Sequence, residues 1–223
     1  MADDAESTVA GRRQAEADLI GSLCYGLLRS FAAAARGTVT APSISLAEWQ
    51  AGFAVDEFER YRLLRARLDE ITQEPELAME ALRGPLDGFY EAAIADGWLE
   101  THVFHFIGDT ITTDFAEILG PCLTAPTAEA VHRSLTGRTA QEAFALEQIA
   151  EALESDGPEA QARIQRFAGT MVGQAMNRLR DTLLSSNALE IVLGEGGVKP
   201  LVLELLARHR ERLERLGLDS LDD

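Results

Sequence analysis

Apolar residues recur at helical spacing along nearly the whole chain, and alternating strand-like stretches are absent. This period predicts an all-α protein. Glycine and proline clusters divide the pattern, and a serine at Ser43 or Ser45 can cap the second helix. The predicted helices span residues 14–35, 43–71, 97–119, 127–154, 159–184 and 200–216.

The lengths of the connections predict the topology. The first two helices are joined by a short break, and so are the third and fourth. Between the second and third helices, residues 72–96 form a long crossover whose pattern is weakened by Pro75, Gly84 and Pro85. Simple up-down bundles have three short loops, whereas ferritin-like bundles have one long crossover. We therefore predict a ferritin-like four-helix bundle with a long crossover and additional C-terminal helices.

Composition predicts one domain. With 223 residues, 46% of them hydrophobic, the chain can bury a substantial core without disulfides or metals. We expect a single helical domain over 14–217, a disordered acidic N-terminus over 1–13 and an acidic tail over 218–223. The net charge of −17 would repel nucleic acid phosphates and anionic lipid, so neither partner is expected.

Two cysteines, Cys24 and Cys122, are too few and too isolated for a disulfide framework or a zinc site. Residues 1–13 are acidic and polar, unlike a secretory leader, and no apolar run approaches the roughly 20 residues that span a bilayer. We expect a soluble, cytoplasmic protein without a membrane partner.

Polar side chains interrupt the apolar stripes of the central helices. Ferritin-like carboxylate enzymes hold two metals with one Glu from each of two helices and a Glu-x-x-His pair from each of the others. Such ligands face the bundle axis, where the apolar period calls for core. The polar residues on or beside the inward stripes are Glu57, Arg60, Asp109, Asp114, Arg138 and Gln141.

Several short segments, taken in order and spacing, are similar to a known family. They are Tyr25-Gly26-Leu27-Leu28, Glu57-Phe58-Glu59-Arg60, 65–68, Glu74-Pro75, Trp98-Leu99-Glu100, 108–115 and Ala143-Phe144-Ala145. Over roughly residues 15–185 the chain resembles the actinobacterial ferritin-like proteins, a group related to tRNA hydroxylases that act on isopentenylated adenosine. The resemblance implies a di-iron fold with Glu or Glu-x-x-His ligands on each bundle helix.

The implied ligands are only partly present. Glu57 retains the carboxylate of the second helix, and Asp109 or Asp114 retains that of the third. Leu27 stands where the resemblance places the first Glu, and Arg60 replaces the histidine of the second helix. The two remaining ligand positions, on the fourth helix, hold Arg138 and Gln141.

Arginine stays protonated and has no lone pair for a metal. We therefore expect no bound metal or other cofactor, with iron as the cofactor only if the ligand register differs. Only one Glu-x-x-His exists, Glu129 with His132, and it lies in the first turns of the fourth helix. The helix dipole favours a Glu there without any metal.

Buried carboxylates need a counter-charge, so we expect ion pairs where the metals would lie. The four residues expected to touch are Glu57, Arg60, Asp114 and Arg138. An alternative is that Arg60 and Arg138 bind a small anion. His102 and His105, three residues apart on the third helix, could form a metal cluster with His132 but are more typical of buried or rim histidines.

Together these features favour a hydroxylase-like fold that lacks a functional di-iron centre. We expect a non-catalytic or binding module rather than an enzyme. The exposed faces of its long helices offer a surface for a homodimer. Two alternatives stay open: a di-iron, oxygen-dependent hydroxylase or oxidase, and a helical protein that binds a small anion.

Overall fold

A computed structural model describes residues 2–81, 83–92 and 97–216. All regular structure in these ranges is helical, so the all-α prediction is confirmed. The α-helices of the described residues are α1 (Ala2–Gly37), α2 (Ile44–Ile71), α3 (Pro75–Glu80), α4 (Arg83–Ala92), α5 (Trp98–Val103), α6 (Asp109–Leu119), α7 (Ala125–Leu135), α8 (Thr139–Asp156), α9 (Pro158–Ser185), α10 (Ala188–Leu193) and α11 (Val198–Arg215).

Four columns of helix form the bundle: α1, α2, α5 with α6, and α7 with α8. Helix α1 packs along α2, α2 contacts α7, and the α5–α6 column contacts both α7 and α8. The first and third connections are short, and the long second connection carries α3 and α4. Ser43 caps α2, where its side chain accepts a hydrogen bond from the Leu46 amide. The predicted order of short, long and short connections is therefore confirmed.

A five-residue π-helical turn, Phe104–Gly108, joins α5 to α6. All ten residues from 101 to 110 are buried, so this turn lies at the centre of the molecule. A π-turn inserts one extra residue into a helix and is frequent at functional sites. Its consequence is that the inward face of α6 is not a simple continuation of the inward face of α5.

Several boundaries differ from prediction. Helix α1 spans Ala2–Gly37 and so includes residues 2–13, which we expected to be disordered. Arg13 Nε donates to the Ile71 carbonyl at 2.8 Å, which ties this segment to the end of α2. Trp49 of α2 is 57% exposed, and its ring stacks on that of Phe144 at a centroid distance of 5.9 Å. The acidic tail over 218–223 lies outside the described residues.

The predicted fourth helix is two helices, α7 and α8, separated at residues 136–138. Gly137 adopts a φ of 82°, a left-handed conformation that ends the helical path. Arg138 therefore lies at the start of α8 and not in the middle of a helix.

The C-terminal helices surround the bundle. Helix α9 packs on α4, α5 and α8, α10 packs on α1, and α11 packs on α6. The sequence predicted α9 and α11 but not the short α10. Within the part of the chain that the structure describes, none of the helices has the length and apolar character needed to cross a membrane.

Candidate functional site

Polar side chains from all four columns meet at the centre of the bundle. Ser30 of α1 donates from Oγ to Asp109 Oδ1 at 2.6 Å, and Asp109 Oδ2 lies 2.7 Å from His105 Nδ1. All three residues are buried. Asp109 therefore connects α1 to the π-turn that carries His105.

Glu57 and Arg138 form a buried bidentate ion pair. Arg138 Nε donates to Glu57 Oε1 at 3.0 Å, and its Nη2 donates to Oε2 at 2.5 Å. Arg138 Nη1 donates to the Asp109 carbonyl at 2.9 Å and to Thr113 Oγ1 at 3.0 Å. This single guanidinium group therefore links α2, α6 and α8.

Arg60 lies beside this pair but bonds mainly to backbone. Its Nη1 donates to the carbonyls of Ser134 at 3.1 Å and Thr136 at 2.6 Å, and its Nη2 donates to the Gly137 carbonyl at 3.1 Å. Its Nε is 3.4 Å from Glu57 Oε1. Burial lowers the pKa of Arg60, and Glu57 opposes that change. A cation on the last carbonyls of a helix stabilises its C-terminus, so Arg60 caps α7.

His105 extends the network to α2 and α8. Its Nε2 lies 2.8 Å from Gln50 Nε2, and the Gln141 amide nitrogen lies 3.2 Å from Nδ1. Nδ1 of His105 therefore faces the Asp109 carboxylate, and Nε2 faces the Gln50 amide. Gln50 also donates to the Ala34 carbonyl at 3.1 Å, which returns the network to α1.

The two buried carboxyl groups differ in their environments. Burial raises the pKa of Glu57, and the charge of Arg138 opposes that rise. Burial also acts to raise the pKa of Asp109, but the hydrogen bond and charge of His105, with Arg138 and Ser30, lower it below the usual value. We infer an ionised Asp109 whose carboxylate is bonded by Ser30 and His105 and lies near the charge of Arg138.

Asp114 is not part of this cluster, which corrects our expectation. Its carboxylate accepts from Arg212 of α11 at 2.5 Å and 2.7 Å, and from Arg208 of α11 at 3.1 Å. The π-turn is the physical reason, because its extra residue turns Asp109 toward the bundle axis and leaves Asp114 facing α11.

On the first helix, the residue that joins the cluster is Ser30. Leu27 belongs to the apolar core, and Ser30, one turn later, faces the polar cluster. Of the expected ligand positions, the structure brings together Glu57, Arg60, Asp109, Arg138 and Gln141.

Other candidate histidines lie elsewhere. Glu129 and His132 are both exposed on α7. His102 is buried against Trp98 and Phe144, and neither of its ring nitrogens has a hydrogen-bond partner among the described residues. Burial, with a smaller contribution from His105, lowers the pKa of His102 to about 3.

Sequence reasoning missed Ser30 and Gln50 as members of the cluster. Gln50 precedes Glu57 by seven residues, two helical turns, so its place on the inward face could have been found from spacing. Ser30 carried no such signal, because a lone serine on an apolar helix face commonly bonds its own backbone.

The residues present do not fit a di-iron centre. Arg138 forms two hydrogen bonds to the Glu57 carboxylate, which a metal would need as a ligand. Both nitrogens of His105 lie within hydrogen-bond distance of side chains. Among residues 2–81, 83–92 and 97–216, no three His, Cys, Asp or Glu side chains form a group suited to a metal ion. Guanidinium and amide groups at the remaining positions are poor donors for iron.

A family model described as "Ferritin-like domain, actinomycetes" matches residues 11–196. No curated protein matches the chain.

Proposed function

The chain belongs to the actinomycete ferritin-like domain family, and from this premise we propose that it is a non-catalytic binding module whose di-iron site is replaced by a buried polar network. The observation that carries the proposal is the bidentate ion pair between Arg138 and Glu57 at the bundle centre. A fixed positive charge with two hydrogen bonds to this carboxylate does electrostatically what a metal would do there.

The network also argues against the alternatives. Oxygen chemistry at a di-iron centre needs open coordination positions and several carboxylate and imidazole donors. Here Glu57, Asp109 and His105 already bond to protein partners. Small-anion binding would need a free guanidinium group, but Arg60 and Arg138 both donate to several protein oxygens.

Metal content tests the proposal directly. We expect protein produced in iron-supplemented medium to carry far less than one iron per chain after gel filtration, measured by inductively coupled plasma mass spectrometry. It should also lack the near-ultraviolet absorption of an oxo-bridged di-iron centre. Stoichiometric iron or manganese would contradict the proposal and favour the hydroxylase alternative.

A rebuilt site supplies the positive control. The combined substitutions Ser30→Glu, Arg60→His, Arg138→Glu and Gln141→His would restore carboxylate and imidazole donors at positions that the structure brings together. If the variant folds by circular dichroism, we expect it to retain iron under the same conditions. A folded variant that binds no more iron than the native protein would show that these are not equivalent to ligand positions.

A further inference from the structure

A second feature, apart from the polar cluster, is an apolar cavity between the bundle and the C-terminal helices. It has a volume of about 190 Å³ and lies where α1, α4 and α6 face α9, α10 and α11. Its wall is largely aliphatic and aromatic, with Leu23, Phe89, Phe115 and Leu189 among the lining residues. Ligand sites in proteins are mainly apolar cavities with a few polar groups that orient the ligand.

The cavity has an entrance at the protein surface. Met176 of α9 and Leu206 of α11 both line it, and they are 37% and 36% exposed. Large apolar side chains at a surface opening provide an adaptable contact for an apolar molecule, methionine especially.

His209 is the polar group that points to a ligand. It lines the cavity, is only 8% exposed, and neither of its ring nitrogens has a hydrogen-bond partner among the described residues. Burial, followed by the charge of Arg212, lowers its pKa, so the ring is neutral and offers one donor and one acceptor. A buried polar group without a partner is destabilising, and bound ligand groups commonly supply the missing bond.

The wall holds three hydroxyl side chains, those of Tyr90, Ser22 and the half-buried Thr112, and the first two are already engaged. Tyr90 donates to the Gly26 carbonyl at 3.0 Å, and Ser22 donates to the Leu19 carbonyl at 2.7 Å. Neither hydroxyl therefore has its proton available for a ligand, whereas His209 does.

We propose that this cavity binds a small, uncharged, mainly apolar molecule with one hydrogen-bonding group, and that His209 recognises that group. The inference rests on the binding-module function proposed above and names its ligand class. A cavity of about 150 Å³ can hold benzene, so one slightly larger suits a small bicyclic ring. A charged ligand is disfavoured because the apolar wall would not compensate its desolvation.

Indole and indene test the proposal by isothermal titration calorimetry. The two have nearly the same shape, but only indole carries an N–H group. We expect indole to bind with a Kd below about 1 mM, as its size permits. Indene should bind about three- to tenfold more weakly, the loss of one hydrogen bond. Absence of indole binding, or equal binding of the two, would overturn the proposal.

Two variants and a control locate the site. His209→Phe should weaken indole and leave indene nearly unchanged, so that the preference disappears. Ala175→Trp fills the cavity from α9 and should abolish binding of both probes. As the control, Thr170→Trp introduces a tryptophan at an exposed position of α9 and should leave the affinities for indole and indene unchanged. Indole binding that survives Ala175→Trp would place the site elsewhere and overturn the proposal.

A measurement on the native protein avoids dependence on folding of the variants. With methyl-labelled methionine, indole should shift the Met176 methyl resonance and give nuclear Overhauser contacts to it, while Met79, outside the cavity, should not respond. The reverse pattern would contradict the assignment. Metal analysis is independent of these experiments, so failure here leaves the replacement of the di-iron site to stand or fall separately.

Discussion

At the scale of single residues, Arg138 has the most consequential contacts in the bundle. Its guanidinium group bonds to Glu57, Asp109 and Thr113, and both charged partners of the ion pair are buried. A buried ion pair adds little stability compared with apolar residues of similar volume. Removing one partner is costly, because it leaves the other charge buried without a counter-charge. The network is therefore sensitive to single substitutions.

We expect Arg138→Ala to lower the free energy of unfolding by about 3–5 kcal/mol, measured by urea denaturation at pH 7.5, because it removes both hydrogen bonds to Glu57 and leaves only the 3.4 Å contact with Arg60. Arg62→Ala is the matched control, since Arg62 pairs with Glu59 on the surface, and it should cost about 0–1 kcal/mol. If Arg138→Ala lowered the free energy of unfolding by only a few tenths of a kcal/mol, that result would contradict our account of the network.

The same variant has a pH signature. Burial raises the pKa of Glu57, and without Arg138 nothing of similar strength would oppose the rise. A carboxyl group with a raised folded pKa binds more protons when folded, so it destabilises more as pH rises. The stability difference between native protein and Arg138→Ala should therefore shrink as the pH falls from 7.5 to 5.5.

His102 supports a second residue-scale prediction. Its pKa is lowered from 6.5 to about 3, so the unfolded chain binds more protons than the folded one between these values. This group's contribution to stability is complete above pH 6.5 and is lost as the pH falls, by about 1.4 kcal/mol per pH unit.

His102→Phe keeps the ring and removes this titration. We measure the free energy of unfolding of both proteins in urea and take the variant minus the native value. This difference should rise by roughly 2 kcal/mol when the pH is lowered from 7 to 5. Parallel curves for native protein and His102→Phe would show that His102 is not buried as a neutral ring.

At the scale of elements, the break between α7 and α8 determines the position of Arg138. Gly137 holds a φ of 82° there, and Arg60 bonds to the carbonyls of Ser134, Thr136 and Gly137. The turn lets Arg138 enter the bundle from the start of α8. Arg60 therefore stabilises the backbone that places Arg138 against Glu57.

We expect Gly137→Ala to destabilise the protein by about 1–2 kcal/mol in urea denaturation, because a left-handed conformation is unfavourable for a residue with a Cβ. A Cβ there would meet no atom within 4 Å, so the effect is one of backbone conformation alone. Gly173→Ala is the control, in open space on helical α9, and should stabilise by about 0.5–1 kcal/mol. Equal effects of the two substitutions would contradict the assigned turn.

At the scale of the whole molecule, Asp114 attaches the last helix to the bundle. Arg208 and Arg212 of α11 both bond to its carboxylate, and α11 also carries His209 and part of the cavity wall. The cavity therefore depends on the docking of α11 against α6.

We expect Asp114→Asn to lower the free energy of unfolding by about 1.5–3 kcal/mol, the contribution of hydrogen bonds to a charged group. Amide hydrogen–deuterium exchange in Asp114→Asn should be faster than in the native protein, and the increase should be larger in α11 than in α2. Glu117→Gln, an exposed partner of Arg208, should cost about 0–1 kcal/mol. Unchanged exchange in α11 of Asp114→Asn would show that other contacts hold this helix.

Local pattern alone determined the helical class, the crossover and most helix boundaries of this protein. Periodicity and helix breakers act over a few residues, so they can be read along the chain. The same pattern identified Glu57, Arg60 and Arg138 as polar residues on inward faces, and the structure brings these three together.

Tertiary structure alone decided which charges pair. The π-turn at Phe104–Gly108 and the break at Gly137 change the direction of side chains by amounts that a regular 3.6-residue period cannot reveal. Asp114 consequently pairs with Arg208 and Arg212, which follow it by 94 and 98 residues. The cavity and the unpartnered His209 likewise arise only when distant helices pack, because pairing and burial depend on neighbours in space and not along the chain.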